Sequence, residues 1–181
     1  MASILRFDNW QNSLGTSIAT TDASGNISFA GVGAGKIFQV VEATHSTHLT
    51  IASTSFTDTG LTATITPSAA TSKVLVIVSQ PFAVLRSLNN TIVGSMQLVR
   101  DATNLQDYHA GTLSTGTDTG GNILAGWTQA YTYLDSPATT SAVVYKTQAK
   151  ANTTANNGRI YANSDGFGNR PSYITLIEVS A

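Results

Sequence analysis

The residues able to do chemistry are few. Three histidines occur in 181 residues, and two of them fall in "THSTHLT", residues 44–50. His45 and His48 are three apart. Metal-binding pairs need i, i+2 on a strand or i, i+4 on a helix, since those spacings share a face. An i, i+3 pair on a strand points to opposite faces, and only Glu42 lies nearby. The reading is therefore His45 in a turn before a strand and His48 on that strand's polar face. "GVGAGKI" fails the phosphate-loop spacing, with Ile37 where a hydroxyl should bind magnesium. No G-x-S-x-G elbow supports a Ser-His-Asp triad. There are two Glu and eight Asp. The Asp mostly fall in turn-like sequence, such as Asp22, Asp58, Asp135 and Asp165, where a carboxylate serves backbone hydrogen bonds. No catalytic residue, metal ligand or cofactor is assigned, and an enzyme is not expected.

The elements around these residues read as β throughout. Charged residues are only 10% of the chain and hydrophobic ones 41%. The polar surface must come from Thr, Ser, Asn, Gln and Gly, and threonine favours pleated, half-buried positions. A net charge of −1 without a basic run argues against nucleic acid as a partner. There is no cysteine, hence no disulfide framework. "MASILRFDNWQNS" has no apolar signal-peptide core, and no apolar run approaches the roughly 20 residues of a membrane helix.

Residues 1–35 read as an N-terminal arm ending in a Gly-rich junction, "GVGAG" (31–35), with a turn at Asp22-Ala23-Ser24-Gly25-Asn26. Residues 36–181 read as one domain. Strands are expected in "KIFQVVE", "THLTIAS", "LTATITP", "KVLVIVSQ", "TIVGSMQLVR", "NILAGWTQAYTYLD", "SAVVYKTQAK", "GRIYAN" and "SYITLIEVS". "FTDTG" reads as a turn closing on Gly60. "KVLVIVSQ" reads as a central strand, and Gly94 and Gly126 as bulges or close contacts. The fold expected is an all-β antiparallel sandwich, jelly-roll-like, with an extended N-terminal arm.

Aromatic residues are the better functional signal. Phe7 and Trp10 lie on the arm with Arg6 beside them. Apolar groups on so short a segment must dock on their own sandwich or on another chain, and Arg6 could grip a carboxylate. Trp127, Tyr131 and Tyr133 alternate along one strand, as core or as an aromatic platform. Phe167 lies between glycines in "DGFGN", at a loop tip or plugging the sandwich end. Tyr108, His109, Trp127 and Phe167 are the candidate surface-recognition residues. The most polar loops are 113–121, 151–158 and 163–169.

The segment "GKIFQVVEATHSTHLTIASTSFTDTGLTATITPSAATSKVLVIVSQ" (35–80), "YLDSPATTSAVVYKTQAK" (133–150) and "YITLIEVSA" (173–181) resemble a module of tailed-bacteriophage virion proteins. The shared pattern is "GK-x-x-QVV", "T-x-TGL-x-A-x-ITP" and "SK-V-LV-V". "DASGN" also resembles the start of tail-fibre-like proteins. The resemblance implies a trimeric β-sandwich, found at the tips of tail fibres and tailspikes or as small proteins decorating the capsid. It carries no catalytic motif, and the histidines lie outside its framework. An arm of about 35 residues is too short for a fibre shaft and suits gripping a capsid shell. The expectation is a homotrimeric cement, or decoration, protein on the outer capsid surface, assembled in the host cytoplasm. Arg6, Phe7 and Trp10 would contact the major capsid protein, and polar loops could touch host surface glycans. The alternatives are a receptor-binding tip of a tail fibre or tailspike, and a carbohydrate-binding module.

Overall fold

The structure, a computed structural model, describes residues 9–11, 13–21, 27–29, 36–87, 91–113 and 121–180. Arg6, Phe7, the 22–26 turn, the 31–35 junction and most of the 113–121 loop lie outside the described residues. The chain divides into two compact units, Met1–Lys36 and Ile37–Ala181.

The first unit is a three-stranded antiparallel sheet of β1 (Asn9–Gln11), β2 (Ser17–Thr21) and β3 (Ile27–Phe29), in that order. The expected extended arm is thus folded on itself through backbone hydrogen bonds. Trp10 lies opposite Ala19, and Thr21 opposite Ile27, so these four residues share one face.

The second unit is an antiparallel β-sandwich. Its strands are β4 (Ile37–His45), β5 (Leu49–Ile51), β6 (Thr57–Ile65), β7 (Lys73–Ser87), β8 (Ile92–Arg100), β9 (Thr103–Leu113), β10 (Asn122–Asp135), β11 (Val143–Ala151), β12 (Arg159–Ala162) and β13 (Ser172–Val179). One sheet is four-stranded, in the order β6-β11-β8-β9. The other is six-stranded and built around β7. Along one edge β7 pairs with β10 over its length. Along the other it pairs with β13 from Lys73 to Ser79 and with β12 from Phe82 to Leu85. β12 and β13 are therefore two segments of one interrupted strand. β4 and β5 repeat the device one strand further out, pairing β13 and β12 in turn.

Alternation along the strands builds the core, because every second side chain of each inner face points at the other sheet. Two apolar clusters result. Leu61, Ile65, Val76, Leu98, Tyr145 and Leu176 belong to one, and Ile51, Phe82, Val84, Met96 and Ile160 to the other. A layer of buried polar side chains separates them: Thr59, Gln80, Thr147, Asn163 and Ser172. Gln80 Nε2 donates to Thr59 Oγ1 at 3.0 Å and Asn163 Oδ1 at 2.7 Å. Thr147 Oγ1 donates to Gln80 Oε1 at 2.8 Å, and Ser172 Oγ to Asn163 Oδ1 at 2.8 Å. Asn163 Nδ2 donates to the carbonyls of Thr47 (3.0 Å) and Thr59 (2.7 Å). Every polar atom of the Asn163 amide is thus satisfied, as burial requires.

Several local expectations change. Residues 57–60 are strand, so "FTDTG" is not a turn; Gly60, at φ +88°, is a kink inside β6 with the His45 ring packed on it. His45 is the last residue of β4, opposite Ser172, not a turn residue. β9 was absent from the expected strands, since its polar composition gives no alternation of apolar residues. Asp58 and Asp135 both read as turn residues, but Asp58 lies in β6 opposite Gln148 of β11, and Asp135 is buried at the end of β10. Asp135 Oδ2 accepts from Arg100 Nη1 and from the Tyr145 hydroxyl, both at 2.6 Å. Burial and this carboxylate raise the Tyr145 pKa.

Glu178 is buried on the inner face of β13. Its carboxylate accepts from the Ser68 backbone N–H (2.7 Å), the Ser68 hydroxyl (2.6 Å) and Gln39 Nε2 (2.6 Å). Burial alone would raise its pKa, but these donors outweigh it and hold the group at about 2. A depressed folded-state pKa stabilises fully above the unfolded value of 4.5, and that contribution is lost as pH falls from 4.5 towards 2. Glu178→Gln faces one amide with another and removes charge-assisted bonds. It should cost about 2–3 kcal/mol at neutral pH and flatten the acid limb of stability, read by urea titrations across that range. An unchanged acid limb would count against the assignment.

Candidate functional site

The residues singled out for surface recognition lie on or beside β9 and β10, the strands that edge the two sheets along one side of the sandwich. β9 pairs only with β8, and β10 only with β7, among the described residues. Side chains close the seam between them. The Tyr108 and Tyr131 rings stack with centroids 3.7 Å apart. Burial raises the pKa of both phenols, most strongly that of Tyr131. Gln129 Nε2 donates to the Ala110 carbonyl at 3.1 Å. Trp127 lies over Gly111, whose φ of +144° and lack of a side chain admit it: a Cβ there would sit 2.7 Å from Trp127 Cζ3. Tyr131 and Tyr133 pack against the core, so the Trp127–Tyr133 stripe is an inner face whose end, at Trp127, is 37% exposed.

A depression of about 300 Å³ lies on the outer face of the four-stranded sheet. Lys150 lies opposite Ser95, and Ser95 opposite His109, so the three form one cross-strand row. The short serine leaves a notch between two longer side chains. Asp107 and Phe56 complete its walls, with Lys150 Nζ 4.4 Å from the Phe56 ring centroid. His109 Nε2 is 2.9 Å from Thr112 Oγ1, and Asp107 Oδ1 accepts from Asn104 Nδ2 at 2.9 Å. The notch offers a cation, an imidazole, a hydroxyl and a carboxylate as hydrogen-bonding groups.

A second depression of about 270 Å³ is lined by Pro81, Gly126, Trp127, Thr128, Asp165 and Arg170. Its wall is the loop between β12 and β13. Asn163, at φ +58°, turns the chain outward, and Ser164 bridges to Asn169. Asp165 Oδ1 accepts the Phe167 N–H at 3.0 Å and Asp165 Oδ2 meets Arg170 Nη2 at 2.5 Å. That backbone donor and Arg170 hold the Asp165 carboxyl below its ordinary pKa. Gly126 is a close contact as its position suggested: a Cβ there would lie 2.8 Å from the Asp165 carbonyl oxygen. Phe167 stands at the tip, 88% exposed.

The structure therefore groups Tyr108 and His109 at one depression and Trp127 at the other, with Phe167 on the adjoining loop. Phe56, Lys150, Asp165 and Arg170 were missed; only the fold brings them there from distant positions. Trp10 belongs to β1 of the first unit and is 58% exposed. The two opening histidines share no site. The His48 ring meets Tyr161 edge-on at 4.9 Å, while that of His45 covers Gly60. Among the described residues no three His, Cys, Asp or Glu side chains gather as metal ligands would.

No protein-family model matches the sequence, and no curated protein matches it. Among solved structures the chain is similar to the T13 IBDV viral particle, with a TM-score of 0.32, 12% identity, and 78% of this chain and 37% of that chain covered. It is also similar to infectious bursal disease virus, Gx strain, at TM-score 0.30 and 13% identity, covering 85% and 42% of the two chains. A VP2 subviral particle of the same virus gives 0.27 and 14%, covering 79% and 38%. The chain spans less than half the length of these solved chains. At such scores the likeness carries no argument, and the sandwich assignment rests on strand order and register.

Gly111→Ala tests the seam. Forcing a side chain against Trp127 at positive φ should cost about 1–3 kcal/mol and shift the Trp127 emission to the red. Wild-type stability and emission in the variant would contradict the contact.

Proposed function

We propose that this chain is a structural protein of a virus particle: a capsid cement, or decoration, protein of a tailed bacteriophage, working as a homotrimer on the outer capsid surface. The observation that carries this is the N-terminal sheet. Trp10 and Ile27 share its apolar face and are 58% and 63% exposed, on either side of Ala19, which is 7% exposed. Three short strands cannot bury such a face by themselves. A large aromatic with apolar neighbours is what a protein interface uses as an anchor. Arg6 and Phe7, just before Trp10 in the sequence, would extend the contact to the major capsid protein.

The segments that resemble phage virion proteins support the same reading, because their residues are framework. Gln39 holds Glu178 and the Thr66 carbonyl, Thr59 belongs to the polar layer, and Gly60 is the kink in β6. Retention would come from many copies, each burying a modest area on a repeating lattice. Assembly would take place in the host cytoplasm.

A second reading, the receptor-binding tip of a tail fibre or a carbohydrate-binding module, is favoured by the notch over Ser95. Its volume lies at the lower end of ligand sites, roughly 300–1,000 Å³, and its groups suit a hydroxyl-rich ligand such as a host surface glycan.

Gold-labelled antibody against this chain, viewed on virions by electron microscopy, separates the readings. Label over the whole head is expected for a cement protein; label at the tail tip would transfer the role to receptor binding, and unlabelled particles would defeat both. A chain lacking residues 1–30 should keep the sandwich fold and lose capsid binding, and retained binding would remove the N-terminal sheet from the interface.

A further inference from the structure

The two outer faces of the sandwich differ. That of the four-stranded sheet is polar and bonded within itself: Lys146 Nζ donates to Asp58 Oδ2 at 2.9 Å, Gln148 Nε2 to Asp58 Oδ1 at 2.5 Å, and Gln97 Nε2 to Gln148 Oε1 at 2.5 Å. Such a face is complete in water.

The lower half of the six-stranded sheet is the opposite case. Strand register places Val40, Ile177, Leu75 and Leu134 in one row across β4, β13, β7 and β10. The next row is Glu42, Thr175, Ile77 and Thr132, followed by Thr44, Tyr173, Ser79 and Ala130. All of these point away from the core, since their sequence neighbours Val74, Val76, Val78, Ile174 and Leu176 are buried in it. Val40 is 58% exposed, Leu134 53%, Tyr173 42% and Ile77 37%. Four strands about 4.8 Å apart, with rows about 6.8 Å apart, make a patch of roughly 400 Å². Seven of its twelve side chains are apolar, and exposed apolar groups gathered on one face commonly mark an interaction site.

We infer that this face is the self-association surface, and that a second copy of this chain covers it. Two observations select that occupant. The charged side chains on the face are Glu42 and Lys73, of opposite sign, and neither makes an ion pair within the chain among the described residues. A copy laid on the face can set the Glu42 of one against the Lys73 of the other; a partner of one net sign would leave one of them unmatched. Area points the same way. A stable interface buries roughly 800 Å² per partner, about twice this patch. A twofold pairing through the face alone falls short. In a ring of three the face can line the axis, so that its Glu42 side meets the Lys73 side of the next copy while further surface between neighbours adds to the buried area, and such unlike contacts close into rings. The inference deepens the homotrimer reading above and needs nothing of the virion.

Sedimentation of the purified full chain tests it. Wild type is expected at a multiple of 18.9 kDa. Val40→Lys and Leu134→Lys sit at exposed positions, so unchanged circular dichroism should accompany at least about 30-fold weaker association for each. Glu42→Lys should weaken association too, and mixing it with Lys73→Glu should restore mixed oligomers. Lys146→Gln, on the polar face and outside the notch, should leave the mass unchanged. A monomeric wild type would overturn both the trimer and this surface. An oligomeric wild type whose Val40→Lys and Leu134→Lys variants keep its mass would overturn the surface alone.

Discussion

The fold depends on a single hydrogen-bonded layer, in which the Gln80 amide meets Thr59, Thr147 and Asn163. It sits where two interrupted strands break at the same level. β12 gives way to β13 along the edge of β7, and β4 gives way to β5 beside them. Each break strands backbone polar groups in the interior, and such groups cost free energy unless they are paired. Asn163 resolves both breaks with one side chain. Its Nδ2 reaches Thr47, in the β4–β5 gap, and Thr59 on the facing sheet, while its Oδ1 accepts from Gln80 and Ser172. Its own carbonyl accepts the Arg170 N–H at 2.8 Å, closing the base of the 163–171 loop. The loop carrying Asp165, Phe167 and Arg170 is thus rooted in the polar layer of the core. A rigid root under an exposed tip is what a recognition surface needs, because less order must be gained on contact.

The same break explains the "THSTHLT" stretch. Ser46, Thr47 and His48 fill the gap between β4 and β5. The His48 N–H donates to Asn169 Oδ1 at 3.0 Å, so this histidine's backbone clamps the other end of the 163–171 loop. The stretch is polar because it bridges a strand interruption, not because it holds a metal. Two buried carboxylates are satisfied in the same way. Glu178 and Asp135 lie towards the opposite end of the core from the layer, one fixing the 66–72 connection and the other tying β10 to β8 and β11. Satisfied networks of this kind favour one register over its neighbours, since a slip by one residue would turn every such group against an apolar wall.

What could be read from the sequence was whatever alternation records. β4, β7, β8, β10, β11 and β13 announce themselves by apolar residues at every second position, and Gly94 and Gly126 by interrupting them. β9 does not, because an edge strand with one polar face and Tyr108 as its main inward anchor has little apolar signal to show. Gln80 and Thr147 carried no sign in the sequence of the face they occupy, since a polar residue at an inward position is indistinguishable from one at an outward position until register is known. For the same reason Asp135 read as a turn and Glu178 as an ordinary strand residue. Of the recognition candidates, the aromatic ones could be named individually. Their partners could not: Lys150 reaches His109 across Ser95, and Arg170 reaches Trp127 through the loop, only after the sheets have formed.

The two outer faces show how composition and assembly are linked. A chain with 10% charged residues has few means of making a sheet face soluble. It uses them unequally, placing Asp58, Asp107, His109, Lys146 and Lys150 on the four-stranded sheet and leaving Val40, Leu75, Ile77, Leu134, Tyr173 and Ile177 on the other. Random placement would have left both faces mediocre. Segregation leaves one face polar throughout and the other more than half apolar, so the second exposes Val40, Ile77, Leu134 and Tyr173 unless something covers it. In such a chain the sparse charge decides which sheet face can stand in water by itself.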